Sequence, residues 1–142
     1  ALDKLEPFFP GMTKAWTAGA PLPGGDMPGA NFDSWLTLFR RQFPWLPGAL
    51  AVHYGRLYGT RAVILLDGAK GLSDLGRHFG ALLYECEVRF LLRTEWARTA
   101  DDILERRTKH GLHLSASERA VFEQWLAGPE EARALEPAGT TT

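Results

Sequence analysis

Cysteine is almost missing from this chain: Cys86 is the one thiol in 142 residues. That excludes an intramolecular disulfide and any all-cysteine zinc site, and it fits a reducing compartment. Charge of one sign is also lacking, because 16 Lys plus Arg face 17 Asp plus Glu for a formal net charge of -1. No strong overall field therefore draws the chain to nucleic acid or to an anionic surface. Long hydrophobic runs are absent too. The longest, Ala62 to Leu66, is five residues, far below the roughly twenty that a membrane-spanning helix needs. No segment reads as a signal or transit peptide. No Gly-rich dinucleotide fingerprint follows a strand-like segment.

What is present is an ordinary single-domain composition, 45% hydrophobic and 23% charged, long enough to bury roughly two-thirds of the surface its unfolded chain exposes. The opening Ala1-Leu2-Asp3-Lys4-Leu5 reads as mid-helix, which fits either a first residue that follows a removed Met or tag, or a piece of a longer polypeptide. Pro and Gly then punctuate residues Pro7 to Gly29 so densely that no helix is sustainable there, and an irregular connector is expected. Residues 1–31 are thus the end of a preceding helix plus connector. A helical domain follows over 32–128, and 129–142 read as a frayed tail of Glu, Ala and Thr.

Within the helical part, Phe32, Trp35, Leu36, Phe39 and Phe43 make one apolar helix face that Pro44 ends. Pro47 opens a second helix carrying Leu50, Tyr54, Leu57 and Tyr58, with Gly59 as its stop. Thr60 to Leu66 mixes β-branched and helix-forming residues; with no partner strand visible, a short buried helix is expected. The longest helix is expected from Phe79 to about Trp96, with Glu85, Arg89 and Arg93 on its polar strip. Thr99-Ala100-Asp101-Asp102 and Ser115-Ala116-Ser117-Glu118 are capping patterns opening two more helices, which end at Gly111 and at Gly128-Pro129. The fold class expected is all-α, a bundle of five or six helices behind a Pro/Gly-rich N-terminal connector.

Candidate chemistry is sparse. His110 and His113 straddle the expected helix end at Gly111 and share no fixed face. Although His53, His78 and Cys86 are also available, no acidic ligand completes a known spacing, so surface or capping histidines and no metal site are expected. Cys86, on the most apolar helix, is read as a packed thiol with a raised pKa, since Glu85 and Glu87 point to other helix faces and no base stands beside it. Leu22-Pro23-Gly24-Gly25-Asp26 lacks the Lys-Ser/Thr end of a phosphate loop and reads as a turn. The last two helices carry too little positive charge for a DNA-reading pair, so no nucleic acid is expected.

Two surfaces remain. Ser34 to Leu66 holds Arg40, Arg41, Arg56 and Arg61 and no acid, either a solvated face or a candidate membrane or partner surface. Arg98 to Lys109 is rich in polar detail: Asp102 to Arg106 and Glu105 to Lys109 are favourable i, i+4 pairs. Arg98, Asp101, Arg106, Arg107, Thr108 and Lys109 are candidate interdomain contacts, with an internal clamp between helices as the plainer reading.

Glu95-Trp96-Ala97-Arg98-Thr99-Ala100-Asp101-Asp102-Ile103-Leu104, followed by Arg106-Arg107-Thr108-Lys109-His110-Gly111-Leu112, resembles the C-terminal domain of aerobic, FAD-dependent glycerol-3-phosphate dehydrogenases. Pro21-Leu22-Pro23-Gly24-Gly25, Arg41-Gln42-Phe43-Pro44, His53-Tyr54-Gly55-Arg56-Leu57-Tyr58-Gly59 and Ser73-Asp74-Leu75-Gly76 follow that family in its order, over about Leu5 to Leu126. The resemblance implies a parent enzyme that binds FAD, oxidises sn-glycerol 3-phosphate to dihydroxyacetone phosphate and passes electrons to quinone. It implies a cytoplasmic protein held peripherally at the inner face of the cell membrane. The flavin and substrate residues of the family lie upstream, so no catalytic or cofactor-binding residue is carried onto this chain. The expected partners are the N-terminal FAD domain of the same polypeptide, a second subunit and the membrane surface. The alternative is an independent helical protein-interaction or membrane-surface-binding module.

Overall fold

A computed structural model describes residues 8, 9, 11, 13 and 16–129. The opening Ala1 to Leu5 and the tail beyond Pro129, expected as a helix end and as a frayed terminus, lie outside the described residues.

The first well-formed helix, α1 (Phe32–Gln42), begins where Asn31 Oδ1 accepts the Ser34 backbone N–H at 2.9 Å, an N-cap contributing about 1 kcal/mol. Its apolar face is an aromatic ladder: Trp35 stacks on Phe39 with centroids 5.0 Å apart, and Phe39 meets Phe43 at 5.1 Å. All three are buried. Helix α2 (Gly48–Tyr58) starts after Pro47 and buries Leu50, Ala51, Tyr54 and Tyr58, while Leu57 stays on the outside. A 3₁₀ turn at Gly59–Arg61 leads into the short α3 (Ala62–Leu65), so a short helix forms here as expected, but only one face of it is buried: Ala62 and Leu65 are in the core while Ile64 stays exposed.

The segment before the next helix departs from expectation. Residues His78–Gly80 (β1) and Leu83–Tyr84 (β2) pair antiparallel, and α4 spans Glu85–Thr94, so the long helix from Phe79 is replaced by a hairpin and a ten-residue helix. Gly80 is the reason. Its φ of 125° is open to glycine and forbidden to helices. Phe79 and Leu83 are buried in the hairpin all the same. Phe79 reaches Phe122 and Trp125, with centroids 5.2 and 4.9 Å away, and thereby packs the hairpin on α5 (Ala116–Leu126).

Among the described residues the sheet is this one two-stranded hairpin and the remainder is helix and loop, so the all-α class stands. One core, running from Trp35 to Leu126, joins α1, α2, α4 and α5. Phe90 and Phe122 lie at its centre, each contributing on the order of 1.5–3 kcal/mol by burial. No described helix is long and apolar enough to cross a membrane.

Candidate functional site

The Thr99 capping pattern forms as read. Thr99 Oγ1 accepts from the Asp102 backbone N–H at 3.1 Å, and Asp102 Oδ2 accepts from the Thr99 and Arg98 backbone N–H groups at 3.0 and 3.1 Å. Those two backbone donors hold the Asp102 carboxyl down at about 2. The helix that follows is wider than expected: Asp102–Arg107 is π-helical, with the Thr108 N–H donating to Ile103 O, five residues back, at 3.1 Å. Thr108 Oγ1 donates to the same carbonyl at 2.7 Å. The helix stops at Lys109, which takes a left-handed φ of 63°, and Gly111 lies in the next 3₁₀ turn instead of serving as the stop. π-turns of this kind recur at functional sites.

Here the extra residue turns His110 inward. Its side chain is 4% exposed, against Glu87 of α4, which is wholly buried, and His53 of α2 at 13%. His53 Nε2 lies 2.9 Å from Glu87 Oε1, His110 Nε2 lies 3.4 Å from Glu87 Oε2, and the two ring nitrogens are 3.2 Å apart. Tyr58 O–H donates to Glu87 Oε1 at 2.7 Å. Surface or capping positions, the expectation for these histidines, therefore do not hold for His53 and His110. The tertiary fold supplies the acidic partner that no sequence spacing offered. His78 and His113 stay exposed.

Burial alone would raise the Glu87 carboxyl; hydrogen bonds from His110 and His53, with their charge, outweigh it and bring it below the usual carboxylate range. A carboxyl depressed on folding contributes stability above its unfolded value, and that stability is lost as pH falls through the folded pKa. Acid titration of thermal stability should therefore show a loss below about pH 4.5 that Glu87→Gln flattens. An unchanged acid slope in Glu87→Gln would remove Glu87 from the account. The neighbouring Tyr58 and Tyr54 hydroxyls are pushed far up, burial being the main cause and Glu87 an added one. Burial also pushes the Cys86 thiol up to about 12, with Tyr54 Oη 3.6 Å from its sulfur, so it is a packed thiol as read.

The candidate interdomain residues divide. Asp101 pairs with Arg119 of α5 at 2.7 Å, and Glu105 takes the same guanidinium at 2.6 Å, so this part is an internal clamp between the π-segment and α5. Arg106 pairs with Asp102 at 2.8 Å as its spacing indicated. Glu105 and Lys109 do not form the expected side-chain pair: Lys109 Nζ donates to the Glu105 carbonyl, while the Glu105 carboxylate serves Arg119. Thr108 is buried and spent on the helix end. Arg98 and Arg107 are exposed, and neither side chain forms an ion pair among the described residues.

Of the basic surface, Arg61 is withdrawn. It pairs with Glu95 and lies over the Phe90 ring at 5.1 Å, leaving Arg40, Arg41 and Arg56 exposed. The Leu22 to Asp26 stretch forms a turn, with the Gly25 N–H donating to Leu22 O at 2.7 Å, and its first four residues line an open cleft of about 520 Å³ against Phe32 and Gly55 to Gly59.

Beside Arg98 stands Trp96, which the motif contained and residue chemistry passed over. It follows the C-cap of α4 in a left-handed conformation, φ 55°, with 85% of its surface exposed. Glycine is the usual occupant of such a position, and an L-residue there costs about 1–2 kcal/mol.

The comparisons with known proteins agree with this region. The family model for the C-terminal domain of alpha-glycerophosphate oxidase matches residues 15–126. D-erythritol 1-phosphate dehydrogenase of Brucella abortus is 49% identical over 88% of this chain and 25% of its own length. Aerobic glycerol-3-phosphate dehydrogenase of Escherichia coli is 44% identical over 89% of this chain and 25% of its own length. Glycerol-3-phosphate dehydrogenase of Pseudomonas aeruginosa is 45% identical over 89% and 24%. The chain spans about a quarter of the length of these curated relatives. A family match over residues 15–126, with the helical fold and the Glu95 to Leu112 region within it, means that the chain belongs to the family of the C-terminal domain of alpha-glycerophosphate oxidase.

Proposed function

We propose that this chain is the helical cap of a flavin-dependent polyol-phosphate dehydrogenase, which oxidises sn-glycerol 3-phosphate to dihydroxyacetone phosphate and passes electrons to quinone. In this reading the cap is a structural and docking module without redox chemistry of its own. The described residues do not fit a flavin. Their sheet is a two-stranded hairpin, with no parallel strands and no strand, Gly-rich turn and helix unit to cradle a pyrophosphate. FAD in this reading belongs to the upstream body of the parent polypeptide, which sits peripherally at the inner face of the cell membrane. Arg40, Arg41 and Arg56 are the residues left to meet that surface.

The observation that carries docking is Trp96, an exposed indole in a left-handed position, with Arg98 two residues on and Arg107 at the end of the π-segment, both exposed and neither in an ion pair among the described residues. Strain plus exposed apolar area is disfavoured in the isolated domain. Both make sense when the indole and the two guanidinium groups meet another surface, and the upstream flavin body is the nearest one in the same polypeptide. Asp101, being clamped to Arg119, cannot report on such a contact; Arg107 can.

The test compares the cap alone with the full-length enzyme. Trp96→Gly is expected to stabilise the 142-residue chain by about 1 kcal/mol, whereas in the full-length protein Trp96→Gly with Arg98→Glu and Arg107→Glu should free the cap to limited proteolysis. Equal protease resistance of wild type and triple variant would count against docking. The same preparation is assayed for dye-linked oxidation of sn-glycerol 3-phosphate. D-erythritol 1-phosphate is the second substrate, favoured by the 49% identity to the enzyme named for it. Oxidation of neither would sink the dehydrogenase reading.

A further inference from the structure

We propose that His53, Glu87 and His110 bind a divalent first-row transition ion, zinc by donor set, inside the cap. The three side chains come from three separate elements: α2, α4 and the turn that follows the π-segment. Each offers one ligand atom, and those atoms lie within 4.8 Å of one another. Ligands at about 2.0–2.1 Å from a tetrahedral ion stand about 3.3–3.4 Å apart; here the two Nε2 atoms are 3.2 Å apart, His53 Nε2 is 2.9 Å from Glu87 Oε1, and His110 Nε2 is 3.4 Å from the other oxygen, Oε2.

Hydrogen bonding alone serves this geometry poorly. Two Nε2 atoms face each other at 3.2 Å and both face one carboxylate, so a proton placed between any two of the three groups leaves the third contact without a donor or brings two N–H groups head to head. An ion accepting lone pairs from both imidazoles and the carboxylate satisfies all three contacts at once. Glu87 is the anionic ligand, and Tyr58 O–H, donating to Glu87 Oε1, orients that carboxylate from outside the coordination sphere. Two imidazoles and one carboxylate suit zinc, and a fourth position is left for water.

The site would do structural work. Bound ion would tie His110, and with it the π-turn and Lys109, to the two core helices, and so hold the segment that carries Arg98 and Arg107 in one shape. The inference stands apart from the dehydrogenase reading, since ion binding is read on this chain without substrate or flavin.

The test uses the purified chain stripped with chelator, then titrated with zinc alone by calorimetry. The expected result is one equivalent bound, a rise in melting temperature, and a visible d–d absorption band when cobalt replaces zinc. His53→Gln and His110→Gln should each weaken binding at least about 100-fold while far-UV circular dichroism shows the helices retained. His78→Ala with His113→Ala, both exposed and outside the cluster, should bind as wild type does. Should the glutamine variants prove misfolded, Tyr58→Phe is the second reading: it keeps all three ligands and is expected to weaken binding about 10-fold. No binding by the folded wild-type chain, binding unaffected in His53→Gln and His110→Gln, or binding lost in the His78 and His113 variant would each overturn the proposal and leave a hydrogen-bonded cluster only.

Discussion

Replacing His53 and His110 together by Leu is expected to destabilise the chelator-treated protein at neutral pH by about 3–5 kcal/mol, the range for a buried charge left without its partners. Glu87 would keep only the Tyr58 hydroxyl, in a position with no solvent exposure. Desolvation, now opposed by neither imidazole, would push its carboxyl above its ordinary value instead of below it. The sign of the pH effect therefore reverses. In the wild type the Glu87 contribution disappears on acidification; in the double variant the penalty itself disappears as the carboxyl gains a proton. Urea unfolding between pH 4 and 8 distinguishes the two, the gap between wild type and variant narrowing toward the acid end. Adding Glu87→Gln to the double variant should recover much of the loss, because a neutral amide needs no counter-charge. A gap that stays constant with pH would mean that lost packing, and not the stranded carboxylate, is responsible.

Gly59→Ala is expected to lower stability by about 2–4 kcal/mol, strain and overpacking acting together. Gly59 ends α2 at φ 56° and ψ -134°, a combination that side-chain-bearing residues avoid. A methyl group there would stand 1.9 Å from Gly24 O, the same carbonyl that accepts the Thr60 N–H at 3.0 Å. The contact is reciprocal: a Cβ on Gly24, whose φ is 85°, would stand 2.4 Å from Tyr58 O. The backbones of connector and helix end thus touch with no room for a side chain on either. Gly24→Ala should act on the same contact, so the double variant should cost less than the sum of the singles. Denaturant midpoints for the four proteins measure this coupling. Strict additivity would show that the two glycines are needed for separate local reasons.

The Leu22 to Asp26 stretch, read in the sequence as a turn and not a phosphate cradle, illustrates what local chemistry conveys. Its Gly25 to Leu22 turn is a short-range property of Pro and Gly, and it is there; why Gly24 and Gly59 must both be glycine depends on a contact between residues 35 positions apart along the chain. The long helix assigned from Phe79 fails for a related reason. Phe79, Leu83, Cys86 and Phe90 fit a helical stripe and are all buried, but burial pattern alone does not separate a helix from a hairpin followed by a helix, and Gly80 was the signal to weigh. Glu87 had a signal as well, a carboxylate flanked by Cys86 and Val88 and within one turn of Phe90 and Leu91.

The sequence by itself determined the helical class, the caps at Thr99 and Ser115, the stops at Pro44 and Gly59, the packed thiol and the family resemblance. Each depends on residues within about one helical turn, or on motif order along the chain. Only the tertiary structure decided that Arg119 clamps the π-segment, that Arg61 is spent on Glu95, and that His53, Glu87 and His110 meet. Those three lie 34 and 23 residues apart in sequence and share no period. What brings them together is the packing of α4 against α2 and the turn after the π-segment, where His110 follows the left-handed Lys109 and is buried in the core.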